Sequence, residues 1–147
     1  QNEFLDLNKD YALVGTNMII VDENNQTIKT VKYPSNNLFI KNLLLVKNLF
    51  CHSSVMFRKQ EIINLGSYDE NLPIWEDYDL WLKIGLKYKF ANLYQNTTAY
   101  RKHTSQSNTK SITIGKNTQA FIIEKYKRLY SGYFVAKIIN KLRNIKN

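Results

Sequence analysis

Five consecutive residues, Trp75-Glu76-Asp77-Tyr78-Asp79, set three carboxylates between two aromatic rings. They follow Pro73 and lead into Leu80-Trp81-Leu82-Lys83-Ile84, an apolar pattern of helical type. Only one acid, Glu124, occurs after Asp79, so the cluster does not reflect an acid-rich composition. A carboxylate held at the mouth of a pocket can serve as a general base. Partial burial beside aromatic rings raises its pKa toward the range where it accepts a proton efficiently.

Helical phase separates the three acids. Asp77, Trp81, Ile84 and Tyr88 fall at i, i+4, i+7 and i+11, which is one face of a helix. That face is apolar and must turn inward, which puts Asp77 at its inner end. Asp79 stands four residues before Lys83, the favourable order for a surface ion pair. Glu76 lies on a third side. The same positions also fit a structural role, because acids in a first helical turn complement the macrodipole and cap free N–H groups.

The elements that must position this cluster are legible in part. Phe4, Leu5 and Leu7 read as the end of a helix. Tyr11 to Val21 is rich in apolar and β-branched residues and reads as a strand. Asp22-Glu23-Asn24-Asn25 is turn chemistry, and Thr27 to Tyr33 supplies a hairpin partner. Asn36 or Asn37 can cap a helix over Leu38 to Asn48. Ser53 to Arg58 reads as a short buried strand, and Lys59 to Leu65 as a helix closed by Gly66. After a helix from Asp77 to Tyr88, two strands are predicted, Phe90 to Tyr94 and Thr97 to Arg101. His103 to Ser111 reads as a polar loop. The remainder is helical, with Ile122, Tyr126, Leu129 and Tyr133 on one stripe and Phe134, Ile138, Leu142 and Ile145 on another. This alternation of strands and helices predicts the α/β class.

Length and composition narrow the rest. A chain of 147 residues with 44% hydrophobic and 13% aromatic residues can build a core and is not disordered. Residues 1–79 carry 7 Lys+Arg and 11 Asp+Glu, a balance of −4, whereas residues 80–147 carry 14 Lys+Arg and one acid, a balance of +13. So basic a second half implies an anionic partner: a phosphorylated substrate, a membrane surface or a nucleic acid. Cys51 is the only cysteine, which rules out an internal disulfide and a cysteine-based zinc site. The most apolar stretch, Leu38 to Phe50, is interrupted by Lys41 and Lys47 and is too short to span a bilayer. The chain opens without Met and in mid-pattern, so it reads as a piece of something longer.

Four blocks occur in order: Cys51-His52-Ser53-Ser54-Val55-Met56-Phe57-Arg58-Lys59, Gly66-Ser67-Tyr68-Asp69-Glu70, Trp75-Glu76-Asp77-Tyr78-Asp79-Leu80-Trp81-Leu82, and Tyr100-Arg101-Lys102-His103. In them the chain resembles the C-terminal half of the family 2 glycosyltransferases, bacterial enzymes of the GT-A fold. The resemblance covers roughly residues 1–110 and leaves 111–147 as a basic amphipathic helical extension. It implies a partial GT-A, Rossmann-like domain, the acceptor-side half of an inverting enzyme. It implies a nucleotide-sugar donor such as a UDP-sugar, and a saccharide or lipid-linked acceptor of cell-surface polysaccharide synthesis. It makes Asp77 the base that takes the proton of the acceptor hydroxyl. The family's Asp-x-Asp or Asp-Asp metal motif belongs upstream of the segment beginning at Gln1. A divalent cation, Mn or Mg, is therefore expected to be held mainly by residues outside this chain, and the chain alone is expected to be inactive. Asp77-Tyr78-Asp79 has the Asp-x-Asp form but stands at the base position.

Further candidates follow from the resemblance. Glu76 is a supporting acceptor-site residue. Trp75 stacks on a sugar face or plugs an apolar gap beside Pro73. His52 lines the acceptor pocket or is a hydrogen-bonded core histidine. Arg101, Lys102 or His103 approaches the metal–diphosphate end, or His103 is an exposed loop histidine. The basic C-terminal helices lie on an anionic membrane or pack on their own domain with a solvated lysine face. The first alternative places the protein in the cytoplasm, peripheral on the inner face of the membrane. A different class, a non-catalytic basic module binding a membrane or nucleic acid through residues 110–147, is the competing expectation. No nucleic-acid-binding motif supports its nucleic-acid form, so nucleic acid is not expected as a partner.

Overall fold

The computed structural model describes residues 1–102 and 109–145. In chain order the elements are α1 (Asn2–Leu7), β1 (Tyr11–Val21), β2 (Thr27–Val31), α2 (Asn37–Leu43), a 3-10 turn (His52–Ser54), β3 (Met56–Phe57), α3 (Lys59–Asn64), α4 (Glu76–Lys87), β4 (Lys89–Arg101), α5 (Thr109–Lys125) and α6 (Tyr133–Ile145). The class is α/β, as expected from the alternation of patterns.

β1 is the hub of a mixed four-stranded sheet. Its last residues pair antiparallel with β2 and its first residues antiparallel with β3, while β4 runs parallel along its other side. A strand with neighbours on both edges and helices over its faces is buried on both sides. This accounts for the nearly continuous apolar run Tyr-Ala-Leu-Val rather than strict alternation. β2 lies at the sheet's margin and is exposed over most of its length.

Three expectations are corrected by pairing. The strand predicted over Ser53 to Arg58 is a 3-10 turn followed by only two strand residues, and Met56 is exposed. The two strands predicted around Gln95-Asn96 are one strand. Its register against β1 jumps from Leu93 opposite Thr16 to Asn96 opposite Asn17, so Tyr94 and Gln95 sit in a bulge. The Asn17 side chain donates to the Tyr94 carbonyl at 2.9 Å and satisfies the backbone the bulge frees. α2 stops at Leu43, short of the predicted Asn48, with Asn36 as its cap accepting from the Phe39 N–H. α3 ends as predicted: Gly66 takes φ 84°, the left-handed conformation that favours glycine after a helix.

α4 lies between two layers. On one side Trp81 packs on Phe50 and His52, with ring centroids 5.9 and 5.8 Å apart. On the other, the Tyr130 hydroxyl donates to the Leu82 carbonyl at 2.8 Å and the Tyr126 hydroxyl to the Asp79 carboxylate at 3.1 Å. Tyr78, Leu80, Trp81, Leu82 and Ile84 are fully buried, and residues of α5 and α6 share their core. Each such apolar side chain contributes roughly 1.5–3 kcal/mol by leaving water. The stripe predicted to run from Ile122 through Leu129 to Tyr133 breaks, because α5 ends at Lys125. Tyr130 is buried in place of Leu129, which is exposed.

This double packing leaves no room at Gly85. A Cβ there would lie 2.4 Å from the Tyr130 hydroxyl and 2.7 Å from the Phe90 ring. Alanine in a helix interior normally gains about 1 kcal/mol over glycine. Overpacking of a rigid core costs about 1–3 kcal/mol. Gly85→Ala is therefore expected to be destabilising, seen as a lower denaturant midpoint. An unchanged or raised midpoint would show that the α4–α5 interface yields.

Candidate functional site

The start of α4 is built unusually. Its N-cap residue, Trp75, holds φ 68° and ψ 21°, a left-handed conformation uncommon for a bulky residue, and offers no side-chain cap. The indole compensates. Its N–H donates to the Gly115 carbonyl of α5 at 3.0 Å, and the ring meets Tyr78 edge-on at 6.0 Å. Strain of this kind persists only where surrounding contacts over-determine it. Here those contacts come from α5, 40 residues away in sequence.

Because Trp75 supplies no cap, Asp77 does the work at the helix end. Its Oδ1 accepts from the Tyr78 N–H at 2.7 Å. Its Oδ2 turns the other way, where Asn48 donates from 3.3 Å and His52 Nδ1 stands 3.9 Å off. The structural and chemical readings of this carboxylate thus fall on different oxygens. One anchors the group, and the other faces the Asn48 amide and the His52 ring. The Asp77 side chain is 16% exposed, enough for a hydroxyl to reach it and little enough to desolvate it.

Desolvation dominates its acid–base behaviour. Burial pushes the Asp77 pKa up, and the Glu76 charge adds to this. The Tyr78 N–H, the His52 imidazole and Asn48 oppose the rise without cancelling it. His52 is held from outside as well: its Nε2 lies 3.1 Å from the Tyr68 hydroxyl, and its ring packs edge-on against Trp81. It is therefore hydrogen-bonded, as one reading had it, but half-exposed rather than in the core. Tyr68 has its own pKa raised, by burial first and then by the charges of Asp77 and Glu76.

The structure thus brings Asp77, Glu76 and His52 together and adds Asn48 and Tyr68, which sequence reasoning missed. Tyr68 stood within a motif block without a role. Asn48 closed a predicted helix, and nothing local marks it. Arg101 is placed elsewhere: it pairs with Val21 at the last rung of the sheet and donates to the Asp22 and Glu23 carbonyls of the hairpin turn at 3.3 and 3.2 Å. The His52–Ser54 turn joins β1 at Thr16, five residues earlier, a separation of about 17 Å along the strand. Trp75 faces α5. His103 lies outside the described residues.

Asp79 requires a correction. It pairs with Lys83 at 3.2 Å, as its spacing predicts, yet it is fully buried rather than on the surface. Lys125 of α5 reaches its Oδ1 at 2.8 Å, beside the Tyr126 hydroxyl. The same lysine lies 3.5 Å from Asp69. Asp79 therefore clamps α4 to α5 and faces away from the Asp77 site.

Among the described residues, no three of His, Cys, Asp and Glu converge as a metal site would require. These residues do not fit a divalent cation, and no step below passes through one. Among them, too, no helix is long and apolar enough to cross a membrane.

A mixed α/β sheet with parallel and antiparallel pairs is consistent with a GT-A-like domain. A family model described as glycosyltransferase-like family 2 matches residues 2–131, and the chain belongs to that family. It is 34% identical over 109 residues to the O-antigen biosynthesis glycosyltransferase WbnJ of Escherichia coli, covering 72% of this chain and 42% of that protein. It is 35% identical over 94 residues to the amylovoran biosynthesis glycosyltransferase AmsE of Erwinia amylovora, covering 63% and 35%. An uncharacterized glycosyltransferase of Methanocaldococcus jannaschii is 32% identical over 104 residues, covering 69% and 35%. The chain thus spans about two-fifths or less of the length of these relatives.

Proposed function

We propose that this chain is the acceptor-side part of an inverting glycosyltransferase. The enzyme moves a sugar from a nucleotide-sugar donor, such as a UDP-sugar, to a saccharide or lipid-linked acceptor of a cell-surface polysaccharide. It works in the cytoplasm, on the inner face of the membrane. The observation that carries the reading is the divided Asp77 carboxylate, with Oδ1 fixed on the Tyr78 N–H and Oδ2 turned toward Asn48 and His52. Membership in family 2 and the polysaccharide roles in the names of two relatives support it.

In this mechanism the acceptor hydroxyl donates to Asp77 Oδ2. As its oxygen attacks the anomeric carbon, the proton passes to the carboxylate and the nucleoside diphosphate departs from the opposite face, which inverts the centre. Asn48 and His52 hold Oδ2 in position, and Glu76 keeps the local potential negative and the base strong. A divalent cation, where the enzyme uses one, would be held by residues outside the described ones and would supply charge neutralisation for the departing diphosphate.

The pH profile tests this reading. A base must be ionised, so kcat/KM of the full-length enzyme falls as pH drops through the Asp77 pKa, which lies above the ordinary aspartate value. His52→Ala removes an influence that lowers that pKa. The acid limb is then expected to move to higher pH. A limb that stays in place, or moves down, would refute the coupling between the two residues.

A further inference from the structure

The outermost helix keeps its apolar stripe outward. Phe134, Ile138 and Leu142, at i, i+4 and i+8, form one stripe of α6, and they are 76%, 60% and 53% exposed. Val135, beside them, is 53% exposed. The opposite face, which meets α5, is mixed: half-buried Ile139 stands among small and polar residues. Ala136 is buried, Tyr133 donates from its hydroxyl to Glu124 at 2.6 Å, and Asn140 is half-buried. Of the two arrangements expected for this helix, the stripe is not packed on the domain, while the lysines remain exposed. Lys137 and Lys141 flank the stripe on one side.

We propose that α6 docks this chain on an anionic lipid surface. Its apolar stripe enters the headgroup–acyl boundary, and its lysines meet the lipid phosphates. Three observations select this occupant. The stripe is long and bulky, the side of an amphipathic helix that lies in a membrane interface. From Tyr126 to Ile145 the chain carries five cations, Lys127, Arg128, Lys137, Lys141 and Arg143, and no acid; Glu124 of α5 pairs with Lys127 at 3.1 Å and Lys137 at 3.5 Å, and the surface keeps a net positive charge. The complement of that surface is anionic. A second copy placed on the same face would bring two such cationic surfaces together, which like-charge repulsion opposes. This inference stands on α6 alone and does not depend on Asp77 being a base.

Flotation of the full chain with vesicles tests it. Vesicles rich in phosphatidylglycerol are expected to carry the chain up the gradient, and pure phosphatidylcholine vesicles to carry at least tenfold less. Raising the salt should release it. Ile138→Ser with Leu142→Ser, both at exposed positions, should cut binding roughly tenfold while the thermal melt stays unchanged. Lys141→Glu should weaken binding to the anionic vesicles. Absence of binding to phosphatidylglycerol vesicles would overturn the proposal, as would binding indifferent to the serine substitutions. A concentration-dependent dimer in sedimentation velocity, dissolved by the same substitutions, would also overturn it by assigning the face to a second copy.

Discussion

Asp77→Asn in the full-length enzyme is expected to lower sugar transfer by about 10²–10⁴-fold, the range associated with loss of a positioned general base. The amide keeps an oxygen for the Tyr78 N–H, so the start of α4 should hold. What disappears is the proton acceptor at the position of Oδ2. Donor binding should change little, because the substitution leaves the rest of the protein intact. Stability should stay within about 1 kcal/mol, from two opposing effects. The Asp77 pKa is raised in the folded state, so folding favours its protonated form. Its ionisation therefore costs stability as pH rises through the unfolded and then the folded pKa, and asparagine is spared that cost. Against this, the new NH₂ meets the Asn48 donor. Transfer rates with saturating acceptor, together with donor affinity and a denaturant melt, separate these effects. A variant with wild-type turnover would remove Asp77 from the chemistry. A variant that fails to fold would return the carboxylate to a purely structural role at the helix end.

Asp79→Ala is expected to act on the fold instead. Its carboxylate is fully buried, with Lys83 at 3.2 Å, Lys125 at 2.8 Å and the Tyr126 hydroxyl at 3.1 Å. Alanine removes at once the shared partner of two ammonium groups and a buried hydroxyl, leaving Lys83 on the Ser67 carbonyl at 3.1 Å and Lys125 on Asp69 at 3.5 Å. Removing one partner of a buried pair costs about 3–5 kcal/mol, and the partial exposure of both lysines places this case near 3 kcal/mol. For a chain of this size that is a fall in Tm of roughly 6–12 °C. The loss should be shared with Lys125→Ala, so that the double variant is much less destabilised than the sum of the singles. Additive losses would show that the clamp between α4 and α5 is not a unit. Because Trp75 also leans on α5, loosening this clamp should disturb the Asp77 site as well.

The two aspartates show where sequence reading succeeds. Asp77 was placed correctly, on the Trp81 face, because an i, i+4 relation is a local property of one helix. The β1–β2 turn, the Asn36 cap and the Gly66 stop were legible for the same reason: each depends on backbone preferences within a few residues. Asp79 was misplaced by the same helical logic. Its partner Lys83 was found, but the burial comes from Lys125 and Tyr126, 46 and 47 residues on. Asn48 and Tyr68 reach the site through loops whose paths no periodicity encodes. The bulge that joins two predicted strands into β4 exists only because β1 offers a pairing edge and Asn17 a donor.

The orientation of α6 is the clearest division between the two levels. Its amphipathic pattern is written in the order of Phe134, Ile138, Leu142 and the intervening lysines, and the sequence alone determined that one face is apolar. Which way that face points depends on what it meets. The α5 surface offers Glu124 to the Tyr133 hydroxyl, and Ala136 is buried, so the side carrying Tyr133, Ala136, Ile139 and Asn140 turns inward. Side-chain order along a helix is a one-dimensional property, set by local spacing. Burial is set by whatever chain arrives from elsewhere, and only the tertiary structure decided it.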